Sequence, residues 1–235
     1  MILKIISLNI WNYAIYQERK PKIIKFIKKQ NPDVLVLQEI RDDTDFNVKG
    51  NDQAKQLNLE LKYPYYEFYA VTDKQKERPE KYRRYCIEGT AIFSKFPIEN
   101  VRKIELTKQP DDIYTCGNLH VTINANKKIH IIGVHFSNSN LFSLLHLIET
   151  LKYALDNKIK PIIVGDFNIL HPNWLADVVS SEYLDSYNFK KYISYPSKNE
   201  TLDYIVIPKE FSFVSLDCST EELSDHRALI AEIKY

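Results

Sequence analysis

The octapeptide Pro161–Asn168, PIIVGDFN, constrains the fold more tightly than any other stretch. Ile162, Ile163 and Val164 form a short apolar run, long enough for a strand buried on both faces. Gly165 lets the backbone turn where a side chain would crowd. Asp166 and Asn168 then set a carboxylate and a carboxamide just past the strand, where α/β folds commonly gather functional groups. Gly, Asp and Asn are also ordinary turn formers, so the octapeptide alone reads equally well as a plain strand exit. Other stretches of the chain shift that balance.

Several further apolar runs end on polar groups. Met1–Ile10 is expected to be a strand with Asn9 near its end, and Val34–Leu37 runs into Gln38 and Glu39. Ile131–Val134 leads into His135, Asp203 lies in the run Leu202–Ile207, and Asp225-His226 precedes the strand Arg227–Ile233. Tyr16–Gln30 reads as an amphipathic helix, with Ile23, Ile24 and Ile27 inward and Lys22, Lys25 and Lys29 outward. Asp52–Leu61 reads as a second helix. Leu141–Leu155 reads as a third, its apolar residues at 141, 144, 145, 148, 151 and 155 keeping a helical period. Tyr65–Val71 and Phe211–Leu216 are expected strands. Gly89–Ser94 is another, with Ile98–Leu106 as its hairpin partner across Pro97, and Tyr114–Ile123 pairs with Lys128–His135. The stretch that follows Asn168 reads as irregular, its aromatics Trp174, Tyr183, Tyr187, Tyr192 and Tyr195 serving packing or a substrate wall. Repeats and Gly/Ser linkers are absent, so one domain over residues 1–235 is expected.

Composition excludes some classes. Charged residues make up 27% and hydrophobic residues 44%, the balance of a folded globular chain rather than a disordered one. Lys+Arg 32 against Asp+Glu 31 leaves a net charge of +1, so no global basic field advertises nucleic acid, although a local patch is compatible with it. Cys86, Cys116 and Cys218 lack metal-type spacing and read as reduced thiols. With no signal-peptide pattern and no apolar run of the ~18 residues a membrane span needs, a cytoplasmic monomer is expected.

Each polar strand-end residue taken singly is an ordinary cap, turn or solvated group. Together, Asn9, Glu39, His135, Asp166, Asn168, Asp203, Asp225 and His226 could share one pocket. Glu39, with Asn9 and Asp225, offers hard oxygen ligands suited to Mg²⁺. Such an ion polarises a phosphoryl oxygen and neutralises leaving-group charge. A histidine can exchange a proton or hold a phosphate, and Asp203 beside it would favour the cation. Asp166 could hold and deprotonate an attacking water. In the loop Arg78–Arg84, the basic residues Arg83 and Arg84 with Lys81 surround Tyr82, a pattern that grips a nucleic-acid backbone or is simply solvated.

Taken in order, SLNIWN at Ser7–Asn12, VLVLQE at Val34–Glu39, EGTAIFSKFPI at Glu88–Ile98, VHF at Val134–Phe136, GDFN at Gly165–Asn168, LDYIVI at Leu202–Ile207 and SDH at Ser224–His226 resemble the motifs of the endonuclease/exonuclease/phosphatase superfamily. The resemblance implies a deoxyribonuclease I-like α/β fold, a four-layer α/β/β/α sandwich with the site at its top. It also implies Mg²⁺-dependent phosphoester hydrolysis by in-line water attack, with Mn²⁺ able to substitute. Glu39 would ligate the metal with Asn9 nearby and Asp225 adding a carboxylate. Asp166 and Asn168 would position nucleophile and phosphate, and His226, backed by Asp203, would contact the phosphate. His135 would match the mid-chain histidine of the deoxyribonuclease I and phosphodiesterase branches, with Glu88 as its acidic partner. That histidine points away from the apurinic endonucleases. The expected substrate is a nucleic-acid phosphodiester, with a small-molecule or lipid-headgroup phosphoester as the alternative. A non-catalytic module on the same fold would lack a central group, and none is missing.

Overall fold

A computed structural model describes residues 1–75, 79–108, 112 and 115–235. Its strands are β1 (Ile2–Asn9), β2 (Val34–Asp43), β3 (Tyr65–Asp73), β4 (Cys86–Ser94), β5 (Ile98–Glu105), β6 (Gly117–Asn124), β7 (Lys128–His135), β8 (Ile162–Asp166), β9 (Tyr183–Asp185), β10 (Asp203–Pro208), β11 (Ser212–Cys218) and β12 (Leu229–Lys234). The helices are α1 (Tyr16–Gln30), α2 (Gln53–Leu61), α3 (Asn140–Asp156), α4 (Pro172–Val179) and α5 (Ser186–Phe189). Sheet I runs β11-β12-β1-β2-β4-β3 and sheet II runs β5-β6-β7-β8-β10-β9.

Alternation within the strands builds the layers. Ile5, Val34, Val36 and Ile92 of sheet I meet Leu119, Val121, Ile131, Val164 and Ile205 of sheet II in a core between the sheets. The opposite face of sheet I, with Leu35, Leu37 and Phe93, is covered by Ile23, Ile24 and Ile27 of α1 and Leu57 of α2. The outer face of sheet II, with Ile132, Ile163 and Val206, is covered by Leu147 of α3 and Leu175 of α4. The result is the expected α/β/β/α sandwich.

Two local expectations are corrected. Ile98–Glu105 does not pair with β4: the chain crosses between sheets after Ser94, and β5 pairs with β6. Strand β4 lies between β2 and β3, so both its edges are taken. The stretch after Asn168 is not irregular, because Pro172 opens α4 at a position where its missing N–H costs nothing. The helix expected over Leu141–Leu155 is present as α3, with an unusual seating. A stripe of its period would ordinarily face the core, yet Leu141 is 62%, Ile148 47% and Leu155 76% exposed. Its buried face instead carries Ser143, His146 and Thr150 alongside Leu147 and Ala154. The cause lies in the sheet beneath, where Asn118 donates to Thr150 Oγ1 at 2.7 Å and His120 meets the Tyr153 hydroxyl at 3.0 Å. Buried polar groups on the strand need partners, and the polar side of α3 supplies them. Tyr114 and Arg78, at the starts of two segments named above, lie outside the described residues.

Candidate active site

Register places three groups in one row at the top of sheet II. β7 and β8 pair in parallel with His135 opposite Asp166, and β8 and β10 pair antiparallel with Asp166 opposite Asp203. Gly165 permits the close approach of β7 and β8: its φ is +150°, and a Cβ there would sit 2.0 Å from the Val134 carbonyl oxygen. Asp166 and Asp203 are 2% and 1% exposed.

Sheet I aims its carboxylate differently. The β2–β4 register shifts between Leu37 and Ile40, and Glu39 within that bulge has φ +56°. A bulge re-aims a side chain, and a left-handed non-glycine residue is strained backbone that its surroundings must hold. Here Asn9 Nδ2 donates to Glu39 Oε1 at 3.1 Å and Asn12 Nδ2 donates to Oε2 at 2.9 Å. Asn9 Nδ2 also donates to Asp166 Oδ2 at 3.1 Å, so this amide stitches the two sheets together. Its oxygen accepts from the Trp11 N–H, so the amide nitrogen, not the oxygen, faces the carboxylates.

His226 and Asp225 arrive from the loop before β12. His226 Nδ1 donates to Asp203 Oδ2 at 2.8 Å, and its Nε2 lies 3.8 Å from Asp166 Oδ2. Burial opposes the imidazolium, but Asp203 and Asp166 outweigh it and lift the pKa to about 10. Asp166 is raised by burial and by the charge of Asp203, against the pull of the two histidines. Glu39 moves the other way: burial alone would raise it, but His135 and the amides of Asn9 and Asn12 bring it below its ordinary value. Burial raises Asp225. His135 Nε2 lies 3.7 Å from Asp166 Oδ2. The Asn168 backbone N–H donates to Asp166 Oδ1 at 3.1 Å, while its amide donates to the Phe136 carbonyl and to Asn138.

Asn9, Glu39, His135, Asp166, Asn168, Asp203, Asp225 and His226 are thus brought together. Glu88, Arg83 and Arg84 are not part of that cluster. Glu88 is buried with Arg41 on one oxygen and Lys74 Nζ 3.3 Å from the other, rather than paired with His135. Arg83 and Arg84 are exposed on the loop before β4 and line neither cavity at the site. Two contributors, Asn12 and Arg19, were given no role from sequence, and Tyr195 was expected only as packing or a substrate wall. Asn12 holds Glu39. Tyr195 lays its ring 4.8 Å from the His226 ring. Arg19 is buried in α1 and donates to the carbonyls of Ile10, Trp11, Asn12, Ala14 and Leu223, tying the loop after β1 to the one before His226. A lone arginine in a lysine-rich helix start gives no sequence signal of this.

The donor set fits a hard divalent cation. Glu39 and Asp225 are oxygen donors facing one cavity of about 260 Å³, and one Asp203 oxygen is buried without a partner among the described residues. Ligand atoms of Asp166, Asp203 and His226 also lie within 4.8 Å of one another. The Glu39–Asp225 side offers carboxylate oxygens alone, the donor type a hard cation favours. The Asp203–His226–Asp166 group can hold phosphate oxygens and take a proton from water.

The sequence model of the Endonuclease/Exonuclease/phosphatase family matches residues 6–226. An endonuclease/exonuclease/phosphatase family protein from Leptotrichia buccalis superposes with a TM-score of 0.81 at 18% identity, covering 99% of this chain and 100% of that one. The human Nocturnin catalytic domain, solved with a bound sulfate, gives 0.75 at 21% identity, covering 99% and 94%. A mannosyl-6-phosphatase of Bacteroides thetaiotaomicron gives 0.67 at 16% identity, covering 99% and 100%. No curated protein matches the chain.

Proposed function

Since the chain belongs to the endonuclease/exonuclease/phosphatase family and is a phosphoester hydrolase, we propose that it cleaves a phosphodiester by in-line attack of water with Mg²⁺ as cofactor. The observation that carries this reading is the opposite tuning of two carboxylates: Glu39 held anionic, Asp166 raised. Pairs whose environments push their pKa values apart mark distinct roles. Glu39, with Asp225, would hold the ion, which supplies charge neutralisation at the phosphoryl oxygens when bound. Asp166, more basic than an ordinary carboxylate, takes the proton of the attacking water while Asn168 fixes its orientation. His226, kept cationic by Asp203, donates to a non-bridging phosphate oxygen. The P–O ester bond breaks with its electron pair on the departing alcohol oxygen, which takes a proton from His135.

A nucleic-acid diester is the substrate suggested by the sequence, and Lys81 over the Tyr82 ring in the exposed basic loop suits a backbone contact. A second reading, a small-molecule phosphoester, is favoured by a slot of about 360 Å³ beside the site, lined in part by Glu39 and His135. Three free cysteines suit a reducing, cytoplasmic setting. Among the described residues, no helix is long and apolar enough to cross a membrane. The test is hydrolysis of bis-4-nitrophenyl phosphate, DNA, RNA and abasic duplex with Mg²⁺, after EDTA and after Mg²⁺ restoration. Metal-restored activity with no preference for the abasic duplex is expected; activity indifferent to EDTA overturns the proposal.

A further inference from the structure

The inverted seating of α3 leaves one of its faces uncovered among the described residues. Leu141, Leu145, Ile148, Lys152 and Leu155 follow one another at alternating spacings of four and three, the seam of a helix that packs against another helix, and all are exposed. Leu144 and Leu151 beside them are half-buried against the outer core of sheet II. The helix cannot roll to hide the seam, because its polar side is tied down. Besides the Thr150 and Tyr153 contacts, His146 Nδ1 accepts from the Ser137 N–H at 3.3 Å, and Ser143 Oγ donates to the Asn168 carbonyl at 3.1 Å. At the start of α3 the Leu170 N–H donates to Asn140 Oδ1 at 3.1 Å, and the exposed Leu170 and Trp174 extend the apolar surface onto α4.

Area and charge together say what covers this face. With Leu170 and Trp174 the seam presents on the order of 600 Å² of apolar surface, the upper end of what a monomer leaves in water and near the ~800 Å² per partner of a standard interface. Membrane lipid fits poorly, since Glu149, Asp156 and Asp177 outnumber Lys152 and Lys158 on these two helices and the turn after α3, and a lipid-binding face needs a basic excess. Lys152 decides how a helix of the same sequence would lie in the seam. Parallel seams set Lys152 of one copy against Lys152 of the other, a like-charge layer. An antiparallel pair centred on Ile148 sets Leu141 opposite Leu155, lays Lys152 over Leu145, and keeps the two lysine positions about 12 Å apart along the axis. Each Lys152 also holds Asp156 Oδ2 at 2.6 Å, which offsets its charge within its own copy. The seam is self-complementary in that orientation.

We propose that α3 pairs antiparallel with α3 of a second copy about a two-fold axis at Ile148, and that the protein is a homodimer through this face. The proposal is independent of the substrate. The monomer expected from sequence is then the dilute form.

The experiment is sedimentation equilibrium of the full chain over a concentration series. A dimer with a dissociation constant of roughly 1–50 µM is expected from an interface at the small end of the range. Ile148→Glu puts like charges at the two-fold axis and should stay monomeric to about 200 µM, while its thermal melting in dilute solution matches the parent's. Orientation is read by mild oxidation, with Cys86, Cys116 and Cys218 of the parent setting the background. Ile148→Cys meets its own copy at the axis and should give a disulfide-linked dimer. Leu141→Cys alone should not, and Leu141→Cys mixed with Leu155→Cys should. A parent that is monomeric at about 200 µM, or Ile148→Glu dimerising as the parent does, overturns the inference. So does a Leu141→Cys crosslink as strong as that of Ile148→Cys, or flotation with phosphatidylcholine–phosphatidylglycerol vesicles that Ile148→Glu abolishes.

Discussion

The two sheets bring unlike equipment to one site. Sheet I contributes Glu39, aimed by a bulge, pinned by two amides and kept anionic. Sheet II contributes His135, Asp166 and Asp203, aimed by plain register across three adjacent strands. A bulge gives one side chain a direction its strand could not, at the cost of backbone strain. Register gives several side chains a shared direction without strain, but crowds like charges together, and the crowding moves protons. One sheet supplies a carboxylate held anionic, and the other supplies Asp166, a carboxylate raised by burial and by the charge of Asp203.

That division predicts separable failures. The largest belongs to sheet II's partner His226: His226→Ala should lower kcat by about 10²–10³ with little change in KM, as for loss of a donor to transition-state charge. An unchanged kcat would erase the assignment. Glu39→Gln should instead raise the Mg²⁺ concentration for half-maximal rate by about tenfold or more, read from a metal titration. Identical signatures for both variants would dissolve the contrast between the sheets. Asp203→Asn should reduce kcat less than His226→Ala and lower the His226 pKa, measured by NMR. The sign follows from the raised pKa. Stability from the charged imidazole is fully present below the unfolded value of about 6.5 and is lost as pH rises through about 10. Without the Asp203 charge, the upper end of that window moves down. A resonance titrating as in the parent would break the pairing. The smallest effect concerns the helices over the sheets: Leu145→Gln on α3 should stay within about 0.5 kcal/mol, whereas Ile27→Ala on α1 should cost about 2–5 kcal/mol. Equal losses in denaturant melts would contradict the inverted seating of α3.

Strand-end positions of Asn9, His135 and Asp166 were legible because each closes an apolar run; Asp203 and His226 stand before or at the start of one, and Glu39, read as a strand end, lies at a bulge inside β2. Helix α1 was legible down to its buried isoleucines, since its apolar stripe meets an apolar sheet. Helix α3 was legible as a helix but not in its orientation, because the facing residues Asn118 and His120 stand more than 20 positions earlier and periodicity sees only one partner at a time. The destination of β5 was hidden for a similar reason: Pro97 marks a turn, but only the occupancy of both β4 edges says that the turn must change sheets. The family resemblance offered Glu88 as a partner for His135, but the cations that claim it, Arg41 in β2 and Lys74 just after β3, come from other segments of the chain.

The pairing of β1 with β12, from Ile2 opposite Lys234 to Ser7 opposite Leu229, has a meaning in time as well as in space. During synthesis β1 precedes both its partners and finds β2 early, but its other edge stays bare until β12 has been made. A bare, apolar strand edge is a template for wrong partners, and closing so long a loop late is slow. Arg19 waits likewise, since its Leu223 carbonyl arrives only with the last segment. The candidate site therefore cannot be complete before β12 is made, and a chain stopped short of residue 229 should be both inactive and prone to aggregate.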